Sequence, residues 1–298
     1  MFNSFIKLIL SHLIILLSLI SQKSLLILIV FILSSCTNIK PNKVDVVASQ
    51  SEKLKQKSVQ NLKGVWVLTE YIDEVEKTKS PLKSADKLKG IVSMIIDGSI
   101  KDNGMEVVTS WNNHEGFSFI TYREAGHTEN SLKTNIPDYE DKSNYYEIGY
   151  ETINNEIFSF ILHYDKENKL LDKKQFTKVA ETQKDNDVSV PLQKVVNEKT
   201  FAGNYTLVDN NNSKIQISLN SDGTLIGSSS FKTYFVYTDF LGGPDSNLDQ
   251  LCFNLLEPDS KCFAFEIKDK TVYLYNTHSD EAKGILILDK VECKLIKE

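Results

Sequence analysis

The 298-residue chain has no surplus of positive charge: 34 Lys and Arg stand against 40 Asp and Glu, for a formal net charge of −6. Such a balance repels phosphate backbones, so a nucleic-acid binder working by charge is excluded. Glycine and proline are sparse, at 13 and 6, which excludes a collagen-like repeat. A 41% hydrophobic content excludes a disordered polar chain, and long apolar runs are confined to the first 35 residues, which excludes a polytopic membrane protein. Catalytic and phosphate-cradling signatures are also missing: there is no Gly-x-Ser-x-Gly, Walker or Rossmann glycine pattern, no His-Glu-x-x-His and no paired Cys-x-x-Cys. Nothing points positively to an enzyme, and neither a cofactor nor a bound metal is expected.

Residues 1–35 carry only Lys7 and Lys23 as Lys/Arg/Asp/Glu charges. After Lys23 the run Ser24 to Ile32 is an apolar core of signal-peptide length, and Leu33-Ser34-Ser35-Cys36 follows it. These four residues resemble a bacterial lipobox. In that family of signals the thiol of the cysteine receives a diacylglycerol and the preceding peptide is removed. The resemblance implies a signal peptide at 1–35, lipidation at Cys36 and a membrane partner reached through it. Each buried methylene contributes about 0.8 kcal/mol, so more than one acyl chain gives stable anchoring. An uncleaved membrane helix is the competing reading, supported by a second apolar run from Leu8 to Ile20. Thr37 stands where lipoproteins retained at the inner membrane carry aspartate, so the resemblance favours the outer membrane. Residues 36–61 are rich in Lys, Gln, Ser and Asn and read as a flexible tether.

Two similar segments follow, 62–180 and 197–298, with a polar linker expected at 181–196. The first opens Leu62-Lys63-Gly64-Val65-Trp66-Val67-Leu68 and the second Phe201-Ala202-Gly203-Asn204-Tyr205-Thr206-Leu207. Both read apolar-x-Gly-x-aromatic-x-Leu, which suggests two copies of one architecture. Apolar and polar residues alternate in short runs broken by turn residues, as in Ile215, Ile217 and Leu219 before Ser221-Asp222-Gly223. The pattern predicts an all-β protein of two tandem antiparallel barrels or sandwiches. The first strand is expected to run from Val65 to Ile72, and one short helix is expected from Pro81 to Lys89, after Ser80 as N-cap.

A Gly-x-Trp opening followed by many short antiparallel strands resembles the lipocalin-like, or calycin, barrels. In that superfamily the glycine and tryptophan close the bottom of a cup that holds small apolar ligands; Gly64 and Trp66 match, and Tyr205 replaces the tryptophan in the second copy. The later family motifs are not visible, so no ligand residue is carried over.

With Cys36 lipidated, three cysteines remain. Cys252 and Cys262 flank the turn Glu257-Pro258-Asp259-Ser260 and could meet across a hairpin as a disulfide, or stay two buried thiols. Cys293 reads as a small core hydrophobe. His114 and Glu115, inside Asn112-Asn113-His114-Glu115-Gly116, are a possible polar site if a tight turn brings them together; otherwise they are polar hairpin tips. His127, His163 or the acidic cluster Asp138, Glu140 and Asp141 could complete a metal site there, though none has a ligand spacing. His163 shares a strand face with Ile157, Ser159 and Ile161 and reads as a hydrogen-bonded core histidine, while His278 reads as solvated. The aromatic sets Tyr145, Tyr146 and Tyr150, then Phe158, Phe160 and Tyr164, then Tyr234, Phe235 and Tyr237 either line a cavity or fill small barrels.

Three functions are compatible with these features. The first is a lipid-anchored cell-envelope module that binds a small apolar or amphipathic ligand. The second is a structural or interaction lipoprotein that presents surfaces or loops, such as Gly242 to Asn247, to an envelope protein. The third is a hydrolase or metal enzyme centred on His114 and Glu115.

Overall fold

The computed structural model describes residues 56–101, 104–113, 115–240 and 247–298. The expected signal peptide at 1–35, Cys36 and the tether up to residue 55 lie outside the described residues. The described chain is predominantly β. A helical stretch ending at residue 62 leads into β1 (Gly64–Leu68), followed by α1 (Thr69–Thr78), β2 (Ile91–Ile96), β3 (Ile100–Lys101), β4 (Gly104–Trp111) and β5 (Glu115–Ala125). Then come β6 (Ser131–Thr134), β7 (Tyr145–Ile153), β8 (Glu156–Tyr164) and β9 (Leu170–Ala180).

These strands pair in the order β2-β1-β9-β8-β7-β6-β5-β4-β3, and β2 also pairs with β4, so the ladder closes into an eight-stranded antiparallel barrel with β3 as an appended hairpin arm. Closure leaves no long free edge. The register is consistent all the way round. Trp66 faces Met94 and Lys178, Met94 faces Thr109, and Thr109 faces Phe117. On the other side Tyr146 faces His163 and His163 faces Asp172, while Leu68 faces Phe176. Side chains alternate along a strand, so all of these belong to the inward set. Trp66, Leu68, Met94, Val107, Phe119, Ile148 and Phe176 are fully or almost fully buried and fill the lower and middle barrel with side chains.

The second sheet is built from β10 (Gly203–Asp209), β11 (Lys214–Leu219), β12 (Leu225–Ile226), β13 (Tyr234–Val236), β14 (Gln250–Phe253), β15 (Lys261–Lys268), β16 (Thr271–Asp280) and β17 (Ile285–Lys297). Its order is β12-β11-β10-β17-β16-β15-β14-β13. It is an open antiparallel sheet where a second barrel was expected, curled enough that Thr224, just before β12, bridges Thr233, just before β13. The runs Ile285 to Leu288 and Val291 to Ile296 join into one strand, because bulges opposite β16 absorb the intervening residues.

The repeated opening motif has one structural meaning in both copies. Gly64 has φ +145° and Gly203 φ +147°, and a Cβ on either would stand 2.7 Å from Cε of Lys178 or 2.9 Å from Cε of Lys297. The positive φ is what calls for glycine at both positions, and the missing Cβ leaves the lysine stem its room. The lysine then reaches over the aromatic ring two residues on, with Lys178 Nζ 5.3 Å from the Trp66 ring and Lys297 Nζ 5.7 Å from the Tyr205 ring. Each motif follows a helix and a fully buried apolar residue, Leu62 at the end of the first helix and Phe201 just after the second.

Two local expectations are corrected. The first strand stops at Leu68, and Thr69–Thr78 is helical; Tyr71, Ile72 and Val75 lie one turn apart and are buried, and Lys79 closes the helix with φ 52°. Residues 81–89 form turns and a single 3-10 turn, Ala85–Lys87, in place of the expected helix. Here side chains capture the backbone: Ser80 Oγ accepts from Lys83 N at 3.1 Å, Ser84 Oγ donates to Ser80 O at 2.9 Å, and Asp249 accepts from Leu82 N at 2.8 Å.

The expected linker is irregular only through residue 188; from Ser189 the chain forms α2 (Ser189–Thr200). Asp187 accepts from both N and Oγ of Ser189 at its start, and Pro191 sits within the first turn, where its missing N–H costs nothing. Leu192, Val195, Val196 and the following Phe201 are buried in one hydrophobic cluster that runs through both sheets. Outside that cluster, Lys79 Nζ donates to Lys199 O at 2.8 Å, Asn113 Nδ2 to Thr238 O at 3.2 Å, and Ser80 Oγ to Asp249. Burial raises the Asp249 carboxyl above its ordinary value. Phe201 stands edge-on to Phe265 at 4.9 Å. Phe201→Ala is therefore expected to cost about 3–5 kcal/mol in urea denaturation; a loss below about 1 kcal/mol would show that the shared cluster is not a tightly packed core.

Candidate functional site

The upper end of the barrel, where β4, β6 and β8 finish and β5, β7 and β9 begin, is not filled. α1 packs against β1 and β9, and the remainder of this end holds two adjoining cavities with Trp111 as their common wall. The outer one, of about 180 Å³, is lined by Trp111, Glu115, Gly116, Phe117, Ile136, Pro137 and Tyr139. The inner one, of about 130 Å³, is lined by Gly90, Ile91, Trp111, Tyr146, Ile161, His163, Asp172 and Lys174. Trp111 and Phe117 meet edge to face at 5.9 Å.

The polar groups here are held firmly. Asp138 accepts from N of Glu140 at 2.8 Å, N of Asp141 at 3.0 Å, Nδ2 of Asn144 at 3.0 Å and Nε2 of His163 at 2.8 Å. Led by the Asp141 amide, these donors pull the Asp138 pKa down to about 2. A carboxylate only accepts, so His163 carries hydrogen on Nε2. Its ring stacks on Tyr146 at 4.2 Å with 7° between planes. Burial, helped by the Asp138 charge, pushes the Tyr146 phenol up to about 12. Lys174 faces inward opposite Ile161 and donates to Lys89 O. Desolvation lowers its pKa, against the opposing pull of Asp172.

Glu115 thus takes its place at the mouth, on the inward side opposite Trp111. His114 lies outside the described residues, as do 242–246 of the Gly242 to Asn247 loop; the Asn247 side chain bonds both N and O of Leu286 at 2.9 Å. His163 is half-buried at the rim. Of the acidic cluster, Asp138 alone is paired with a histidine.

His127 goes elsewhere, onto the outer wall. There its Nδ1 lies 2.8 Å from Oε1 of Glu147, a fully buried carboxylate that also accepts from Ser131 Oγ at 2.6 Å and from the His127 backbone. His278 is exposed on β16, 3.0 Å from Asp289. Among the described residues no group of three or more His, Cys, Asp and Glu is arranged to hold a metal ion.

The aromatic sets divide between the two faces. Tyr146, Tyr150 and Tyr234 point inward, whereas Phe160 and Tyr164 form a separate cluster on the outer wall with Phe158 and Tyr145 packed on it. Trp111, Phe117, Tyr139, Asp172 and Lys174 were not picked out from sequence as site residues. Strand alternation was the available signal, but it assigns an inward face only once the register is known.

Cys252 and Cys262 occupy facing positions on β14 and β15 and are joined by a disulfide on the face away from the core; Cys293 is free and buried, and burial pushes its thiol up to about 11. Comparison with protein families, with curated proteins and with solved structures gives no match.

Two outcomes are expected. Because the folded Asp138 pKa is depressed, its contribution to stability is present above its ordinary value near 3.8 and is lost as pH falls toward 2. Asp138→Ala should accordingly be less stable than the parent at pH 6, with the difference shrinking toward pH 2; a pH-independent difference contradicts the assignment. Thiol titration of the denatured, unreduced and lipidated protein should find Cys293 alone, the bond adding about 2–3 kcal/mol of stability; three thiols would exclude the bond.

Proposed function

We propose that the protein is a lipoprotein of the bacterial cell envelope, anchored through lipidated Cys36 in the outer membrane, and that it binds a small amphipathic ligand at the mouth of its first barrel. The observation that carries the reading is the distribution of free volume. The barrel is packed with apolar side chains below, while its mouth holds two adjoining cavities with aromatic walls and anchored polar groups. Preformed concave sites with a few oriented polar groups are the usual form of small-ligand pockets. Their size favours a small head group over a long acyl chain. The closed strand ladder with Gly64 and Trp66 at its floor supports the likeness to lipocalin-like barrels, and the near-closure of the second sheet around Tyr205 supports a second domain of the same kind. The acidic body offers nucleic acid no attraction.

Native mass spectrometry of the detergent-solubilised protein should reveal a retained small molecule that is lost in Trp111→Ala. Its absence, with no chemical-shift change in a small-molecule screen, would contradict ligand binding. Labelled palmitate should enter the parent protein and not Cys36→Ser; equal labelling would contradict the anchor.

A second reading, an interaction lipoprotein that binds an envelope protein, rests on Leu256. This side chain is 94% exposed in the turn that the Cys252–Cys262 bond closes, with φ 71°. An apolar side chain held out on a stapled loop is suited to a partner's cleft.

A further inference from the structure

We infer that the outer cavity at the barrel mouth receives an organic ammonium group, an inference that rests on the ligand-binding reading above. Its walls are the rings of Trp111, Phe117 and Tyr139, with Ile136 and Pro137 as apolar backing, and the charged residue in its lining is Glu115. Ring faces carry negative potential and attract cations within about 6 Å of the centroid. A carboxylate beside them adds to the same field. An anion in this cavity would meet repulsion from the rings and from Glu115 together. A neutral apolar ligand would strip water from Glu115 and return no partner to it.

The nearest cation that faces the neighbouring cavity, Lys174, is already engaged. It donates to Lys89 O, and Asp172 lines the same cavity. His163 is held by Asp138. Glu115 is therefore the group at the mouth whose charge a ligand would complement. Size agrees: an apolar cavity of roughly 150 Å³ takes up benzene, and about 180 Å³ accommodates a trimethylammonium head with a short substituent. Tyr139, 84% exposed at the rim, is the ring positioned to cover such a head once it has entered.

Choline and its uncharged carbon isostere, neohexyl alcohol, are the probes, titrated calorimetrically into the full-length chain. Choline should bind on the order of tenfold more tightly than the alcohol, as a cation–π contribution of 1–2 kcal/mol implies. Glu115→Gln should weaken choline by a similar factor and leave the alcohol unchanged. Trp111→Phe should weaken choline less than Trp111→Leu, with the circular-dichroism spectrum of each variant confirming its fold. Equal binding of choline and the alcohol, or an unchanged choline affinity in Glu115→Gln, overturns the ammonium assignment and leaves the ligand-binding reading standing. If neither probe binds, the ammonium assignment is likewise overturned; native mass spectrometry then shows whether the broader reading fails with it, through the absence of any retained small molecule.

Discussion

The contact on which the rest depends is the closing seam between β1 and β9, where Lys178 lies across Gly64 and over Trp66. An indole needs a hydrogen-bond partner when buried, and Trp66 Nε1 finds it in Leu62 O at 2.7 Å. That bond ties the preceding helical stretch to the barrel floor. The lysine stem covers the ring, and the glycine makes the space for the stem. With an indole facing Met94 at the floor and Leu68 and Phe176 packed above it, the two larger cavities lie at the opposite end, and a far smaller one of about 20 Å³ remains beside Gly104 and Met105.

The same device recurs with Gly203, Tyr205 and Lys297, and this recurrence explains α2. A helix with a buried apolar residue at or just after its end precedes the first strand of each copy, and α2 packs against α1, β1 and β2 of the first segment as well as β13 of the second. Its burial also brings the two sheets into one hydrophobic cluster. A polar tether at this point would leave two faces to be covered separately, each at the cost of exposed apolar surface.

Much of this was legible before any coordinates. Period-2 alternation announced a mostly β chain, and the shared Gly-x-aromatic motif announced the recurring glycine–aromatic contact, because both are local and do not depend on pairing. That the second sheet stays open where a second barrel was expected was not legible. Lys178 and Lys297 were not legible as partners of that motif, since each lies on the last strand of its copy and only topology brings it to the first. α2 was hidden because the charged run at 181–187 leads straight into a helix whose buried positions include Pro191, Asn197 and Thr200 besides Leu192, Val195 and Val196, which blurs the apolar stripe. The mouth was the least legible region. Tyr145 and Tyr146 are neighbours of the same type, yet one faces out and the other in, and Lys173 and Lys174 divide in the same way. Register decides such cases, and a slip of one residue would exchange them. Glu115 was found through its company with His114, whereas its place at the mouth comes from pairing opposite Trp111.

The chain contains two tryptophans, one at the floor and one at the mouth, which makes the central claim directly measurable. In Trp111→Phe the remaining indole is Trp66, fully buried beneath a packed barrel. Acrylamide should quench its fluorescence far less than that of Trp111 in Trp66→Phe, and its emission should be blue-shifted. Ready quenching of Trp66 in a folded protein would mean that the barrel is an open cup down to its floor, and would contradict the account.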